Sequence, residues 1–173
     1  MTHDNMLFYK NEVQHSPIAG TGVFTQEIIP KGAIVGMLAH QGKLATEAQY
    51  QQAQREGNTR LIQSAIRWAG HYFVYMPHEM SDDYINHSEN PNMLYHCGVL
   101  FARRDIKVGE ELTVNYKYFL AQGDENGFED EKTGERVDGI DPKEALISSA
   151  KELLELLESA DLDTARYSDY KPL

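Results

Sequence analysis

Three short stretches of this chain hold residues that chemistry could use. They are AGTGVF at 19–24, INHSENPN at 85–92 and GEELTVNY at 109–116. Gly20 and Gly22 lack a Cβ, so the backbone there can lie directly against a ligand, although a Gly-Thr-Gly also suits an ordinary turn. Asn86 and His87 set an amide beside an imidazole at the end of a short apolar step, and a lone pair of this kind is ordinarily structural. Tyr116 closes the third stretch with a phenol. These are residue types for close backbone approach, hydrogen bonding and orientation of a reactant. His96 and Cys97 are adjacent, yet two ligands without partners do not make a metal site, so no metal is expected.

The elements that must carry these residues are short. Residues 6–9 and 22–38 read as strands, with a turn at Pro30-Lys31-Gly32. Thr46 with Gln49 forms a capping-box pattern that starts a helix over 47–56, and Gly57 ends it. Residues 65–76 are rich in aromatic and β-branched side chains and predict one or two strands; 98–106 and 111–116 predict two more. From 120 to 139 the chain is polar and reads as a loop or flap. Asp141 as cap and Pro142 at the first helical position then open a helix to about 159. Its apolar stripe is expected at Leu146, Ala150, Leu153 and Leu157, widened by Ile147 and Leu154. Docking on the domain's own core is the ordinary use of such a stripe; a dimer seam is the other.

Composition bounds the class. A chain of 173 residues with 41% apolar content can bury a sizeable core in one domain. One cysteine excludes an internal disulfide framework and a cysteine-rich zinc cluster. The N-terminal residues lack the pattern of a signal peptide, no run is long and apolar enough for a membrane span, and a cytoplasmic location is expected, with a nuclear or host-cell location left open. The net charge of −11 is uneven. Residues 1–121 hold 10 basic and 12 acidic side chains, whereas 122–173 hold 6 and 15. That excess repels phosphate backbones, so nucleic acid is not expected as a partner, nor is a membrane; a basic protein is.

Taken together, in this order and spacing, the three stretches resemble the SET domain of protein lysine methyltransferases. IIPKGAIVG and FARRDIKVGEEL fit the same pattern between them, and the resemblance runs from about Ile18 to Tyr116. It implies a mostly β fold with α elements: a β-clip of small sheets, in which the segments holding Asn86-His87 and Tyr116 form a pseudoknot, plus a C-terminal helix. The SET domain is placed at 1–121, with a core at 6–119 and a helical insert at about 45–64. An acidic flank at 122–173 carries the helix at about 141–159.

The resemblance implies S-adenosyl-L-methionine as cofactor. Gly20, Thr21, Gly22 and Val23 match the segment lying against its methionine part. Asn86 and His87 match the pair beside it, their backbone on the adenine and the Asn86 side chain on the amino group. Tyr116 matches the catalytic tyrosine facing the transferring methyl. The substrate channel is expected to include Tyr118, Phe119, Val114 and Tyr95. Many members carry a Phe or Tyr where this chain has Val114, and the Tyr95 hydroxyl is expected to fill the vacated space, limiting transfer to one or two methyl groups. With no flanking cysteine cluster, something in 117–145 must close the site, and Phe128 is the candidate cover.

Methyl transfer to lysine is an in-line displacement at a sulfonium methyl, whose leaving group needs no metal. Positioning is then the main contribution, worth about 7–11 kcal/mol. The nucleophile must be the neutral amine, and a free lysine with a pKa of about 10.4 is mostly charged at neutral pH. An apolar channel favours the neutral form. The expected function is therefore an S-adenosylmethionine-dependent protein lysine N-methyltransferase acting on a basic protein or peptide, such as a histone or ribosomal protein tail, as a monomer or as a dimer through the C-terminal helix. The alternatives are a catalytically silent SET-fold module binding basic peptides and a methyltransferase acting on a small amine.

Overall fold

The computed structural model describes residues 6–38, 42–123, 128–130 and 132–161. The last twelve residues of the expected acidic flank, 162–173, lie outside the described residues. The strands are β1 (Asn11–His15), β2 (Thr21–Thr25), β3 (Ile34–Met37), β4 (Lys43–Thr46), β5 (Ile66–Ala69), β6 (Tyr72–Tyr75), β7 (Asn86–His87), β8 (Met93–His96), β9 (Val99–Ala102), β10 (Thr113–Val114), β11 (Phe128–Glu129) and β12 (Arg136–Val137). The helices are α1 (Glu47–Glu56), α2 (Thr59–Ser64) and α3 (Pro142–Ser159). Among the described residues the strands form small sheets ordered β1-β2, β3-β9-β8, β4-β6-β5, β7-β10 and β11-β12. All pairings are antiparallel except β7 with β10. The expected mostly β architecture of small sheets with a C-terminal helix is the one found.

Local sequence explains most of these elements. Thr46 accepts from the Gln49 backbone N–H while the Gln49 side chain accepts from Thr46 N–H, a reciprocal cap worth about 1 kcal/mol. Gly57 ends α1 at φ +68°, where a Cβ would be strained. The Asp141 carboxylate accepts from the N–H groups of Lys143 and Glu144 and so starts α3. A two-residue turn joins β8 to β9, with Cys97 at φ +48° and Gly98 at φ +81°. Both positive φ values match the hairpin turn whose twist suits right-handed strands.

β1 and β8 are among the strands that were not legible in the sequence. β1 is polar and mostly exposed, and it forms because its backbone pairs with β2, Val13 opposite Val23. β8 has no β-branched residue, yet Met93, Leu94 and Tyr95 are all buried. Its partner β9 covers 99–102 only, shorter than the expected 98–106.

The main core gathers Val23, Ile29, Leu94, Leu100, Ile106 and Leu112 at 1% exposure or less. Each such aliphatic side chain contributes about 1.5–3 kcal/mol of burial. A second cluster around Phe73 joins α1 and α2 to the β4-β6-β5 sheet, with Tyr50 stacked on Phe73 at 4.6 Å between centroids.

The apolar stripe of α3 differs from the expected one. Ala145, Ser149 and Leu156 are the buried positions and Leu153 packs on the core, whereas Leu146, Ile147 and Leu154 stay exposed. The docking face is thus centred one residue earlier. Ser149 serves there because its hydroxyl donates back to the Ala145 carbonyl at 2.7 Å and lies 2.9 Å from His96 Nδ1. A polar residue whose hydrogen bonds are met locally can occupy a core-facing position that hydrophobic periodicity assigns to leucine.

Candidate active site

The parallel pairing of β7 with β10 builds the site. It sets Thr113 opposite Asn86 and Val114 opposite His87, with the Ser88 N–H donating to the Val114 carbonyl at 3.1 Å. Asn92 holds β10 from the other side. Its side chain accepts from Thr113 N–H at 2.9 Å and donates to the Glu111 carbonyl at 2.7 Å. The second and third stretches are therefore bound to each other by backbone and buried amide. The sheet has two strands, so one edge of β7 faces no strand among the described residues. Such an edge offers backbone donors and acceptors to a ligand.

A 3-10 turn over Tyr116–Tyr118 follows β10, capped by the Asn115 side chain, which accepts from Lys117 N–H at 3.1 Å. In a 3-10 turn, residues i and i+3 eclipse. Tyr116 and Phe119 accordingly face the same way, 5.0 Å apart between ring centroids, and both line one cavity of about 620 Å³. The Tyr116 hydroxyl donates to the Ile85 carbonyl at 2.6 Å, and its backbone N–H donates to His87 Nδ1 at 3.2 Å. Nδ1 as acceptor places the ring proton on Nε2, which faces Glu89 Oε1 at 3.2 Å. Burial, with the Glu111 carboxylate adding to it, pushes the Tyr116 phenol above its ordinary pKa. The residue is then a neutral phenol that can orient a reactant through its oxygen.

Phe128, on β11, lies 5.0 Å from the Tyr116 ring and 5.7 Å from the His87 ring between centroids, and it lines the cavity. Asp130 follows it, 3.9 Å from His87 Nε2. The short β11-β12 hairpin thus covers the Tyr116 side of the site, inside the segment where the sequence suggested a loop.

The first stretch presents itself differently from expectation. Gly20 has φ +44° and open space where a Cβ would stand, so its turn is free for a ligand. Gly22 is a glycine for a reason within the protein. A Cβ there would meet Glu111 Oε1 at 2.3 Å and Ser16 Cβ at 3.0 Å. Val23 is fully buried in the core, so only its backbone is available, and its carbonyl accepts from Leu112 N–H. Thr21 is exposed, and its carbonyl accepts from the Asn86 amide at 3.0 Å. The same amide reaches the Ala19 carbonyl at 3.2 Å and Glu111 Oε1 at 2.7 Å.

Glu111 is the residue that motif reading missed. Its carboxylate accepts from the Ser16 hydroxyl and the Asn86 amide, and it fills the space beside Gly22. The missing Cβ of Gly22 was the signal available, but only the fold shows what occupies the gap.

Tyr118 and Tyr95 are corrected. The Tyr118 hydroxyl donates to Glu152 on α3, and neither tyrosine lines the Tyr116 cavity; both border a small gap near Trp68. Tyr118 is carried away because successive side chains of a 3-10 turn point about 120° apart. The Tyr95 hydroxyl donates to the Arg67 carbonyl, so it does not fill the space beside Val114. Its ring instead backs Phe119, edge to face at 5.3 Å. Val114 does line the cavity. Among the described residues no cluster of three metal-ligating side chains occurs.

Comparison with known proteins adds to this geometry. The SET domain profile matches residues 20–117, more than half of the chain. Among solved structures, the methyltransferase domain of human histone-lysine N-methyltransferase SETMAR is similar at 27% identity, over 64% of this chain and 45% of that one, with a TM-score of 0.48. This chain thus spans less than half the length of that structure. The comparison with curated proteins returns no match. With the three stretches drawn together as the family pattern requires and the profile covering all of them but Ala19, the chain belongs to the SET-domain family, whose members are in general S-adenosylmethionine-dependent methyltransferases.

Proposed function

We propose that this protein is an S-adenosylmethionine-dependent protein lysine N-methyltransferase. The observation that carries the reading is Tyr116 at the wall of a cavity, its hydroxyl held by the Ile85 carbonyl and its backbone N–H by His87 Nδ1. A silent binding module has no need of a phenol fixed in this way.

The residues fit the cofactor. The Gly20 turn is open, the free edge of β7 offers backbone groups for a purine, and Phe128 can cover a planar ring. Asn86 supplies a polar side chain at the turn, although in this structure its amide is directed at the carbonyls of 19 and 21 and at Glu111. When bound, the cofactor supplies an electrophilic methyl on a sulfonium. Ile85, Val114 and Phe119 enclose the aliphatic stem of a lysine and disfavour its charged form. Tyr116 orients the amine. Phe119, backed by Tyr95, is the bulky wall that limits transfer to one or two methyl groups. The acidic balance of the chain favours a basic protein or peptide over a small amine.

Incubation with labelled S-adenosylmethionine and either histones or a cell extract, beside Tyr116→Phe, tests the reading. Labelling of a protein band by the wild type only is the expected result. Labelling of metabolites alone overturns it in favour of a small-amine enzyme, and cofactor binding without transfer overturns it in favour of a silent module. Mass spectrometry showing mainly trimethyl-lysine removes the role given to Phe119.

A further inference from the structure

Three buried side-chain atoms among the described residues have no hydrogen-bonding partner: Arg67 Nε, Glu152 Oε2 and Asp82 Oδ1. The first belongs to a guanidinium that lies over the Phe73 ring, 4.6 Å from its centroid. The second lies 2.7 Å from Arg103 Nη1 in an ion pair. Asp82 Oδ1 has neither a ring contact nor an ion pair among the described residues. Arg60, whose positive charge acts on Asp82, makes its hydrogen bonds elsewhere: its Nη2 bonds Asp83 Oδ2 at 2.9 Å and the His78 carbonyl at 2.5 Å, and its Nε bonds the Met76 carbonyl at 2.8 Å. Arg60 thus satisfies Asp83 and leaves its neighbour open.

Asp82 lines the cavity that Tyr116 lines. It lies one 3-10 turn before Ile85, whose N–H donates to the Asp82 carbonyl at 3.2 Å and whose own carbonyl holds the Tyr116 hydroxyl. Among the described residues the charged ones around this cavity are Asp82, Asp83 and Asp138, all negative, and no described Lys, Arg or His lines it. The carboxylates of Asp83 and Asp138 are occupied, Asp138 by the N–H groups of Gly123 and Gly139. A carboxylate oxygen without a partner, in a cavity whose described lining holds no cation, is matched by a cation that arrives with the ligand. Burial pushes the Asp82 carboxyl up to about 6, so an incoming positive charge would draw it into the ionised form.

We propose that Asp82 is a specificity-determining residue, whose carboxylate receives a second cationic side chain of the substrate, an arginine or lysine close in sequence to the lysine that is methylated. The proposal rests on the cavity being the place of lysine methyl transfer, and its test separates the two. Capped peptides with one lysine in a glycine–alanine background, carrying one arginine walked along the flanking positions, are titrated by fluorescence anisotropy against wild type, Asp82→Asn and Asp82→Ser, with S-adenosylhomocysteine present. The same peptides are assayed for methyl transfer.

In the wild type, one arginine position tightens binding roughly tenfold over the arginine-free peptide, the size of one charge-assisted hydrogen bond. In both variants that preference falls to near unity while their thermal unfolding shows an intact fold. A preference that persists in the variants, or that is equal at every arginine position, overturns the role of Asp82 even if methyl transfer is observed. Arginine-dependent binding that is lost in the variants, with no methyl transfer by wild type, keeps the cation site and removes the methyltransferase reading.

Discussion

The Asn86 side-chain amide donates to Glu111 Oε1 at 2.7 Å, joining two motifs that lie 25 residues apart. Ser16 donates to the same carboxylate, its Oγ 2.8 and 2.9 Å from the two oxygens, and accepts from the N–H groups of Ile18 and Ala19. One carboxylate therefore fixes the turn before Gly20, the amide beside it and the start of β10. Hydrogen bonds to a charged group are worth about 1.5–3 kcal/mol each. Glu111→Ala is expected to lower unfolding free energy by about 3 kcal/mol and to weaken S-adenosylmethionine binding. Urea unfolding and calorimetry check this; an unchanged midpoint would show that the carboxylate holds nothing.

The same carboxylate makes a side chain at Gly22 costly. Gly22→Ala puts a Cβ 2.3 Å from Glu111 Oε1, so the carboxylate must leave its partners. The loss is expected to be smaller when Glu111 is already alanine. A double-mutant cycle in urea reads this coupling, expected at about 1–2 kcal/mol. Additive losses would contradict it.

Asp82 gives a pH dependence of defined sign. Its carboxyl is raised from the usual 3.8 to about 6 in the fold, chiefly by burial, so the folded state holds the proton more tightly than the unfolded chain. The stabilising protonation is fully present below about pH 3.8 and is lost as pH rises through about 6. At about 1.4 kcal/mol per pH unit, the ionised residue costs the fold about 3 kcal/mol at pH 8. Asp82→Asn is expected to raise the thermal midpoint at pH 8 and to change it little at pH 4. Equal shifts at both pH values would refute the assignment.

Tyr116 and Tyr118 separate function from support. Tyr116→Phe keeps the ring packing on Phe119 and Phe128 and removes the hydroxyl that bonds Ile85. It is expected to lower methyl transfer at least a hundredfold with an intact fold, in the range found for loss of one oriented group. Tyr118→Phe removes the bond to Glu152 on α3, and about 1 kcal/mol of stability is expected to go with it. Its methyl-transfer rate is expected to stay within a few fold of wild type. A Tyr118→Phe enzyme as inactive as Tyr116→Phe would return Tyr118 to the channel.

The sequence by itself determined what depends on local backbone chemistry and on motif identity. Thr46 with Gln49, Gly57 and Asp141 set helix ends because their hydrogen bonds reach only a few residues. Gly20, Asn86, His87 and Tyr116 marked the site because residue type and order alone identify them. The tertiary structure decided what depends on distant partners. β1 is a strand because β2 pairs with it, and β8 because the core covers it. The face of α3 shifted by one residue because Ser149 found His96 across 53 positions. Tyr118 left the cavity and Phe119 stayed because a single 3-10 turn, invisible in hydrophobic periodicity, sets their directions. Glu111 and Asp82 have no distinguishing mark in the sequence, and the fold gave one of them partners and left an oxygen of the other without any. Burial and charge pairing are properties of neighbours in space, and the order of residues along the chain does not contain them.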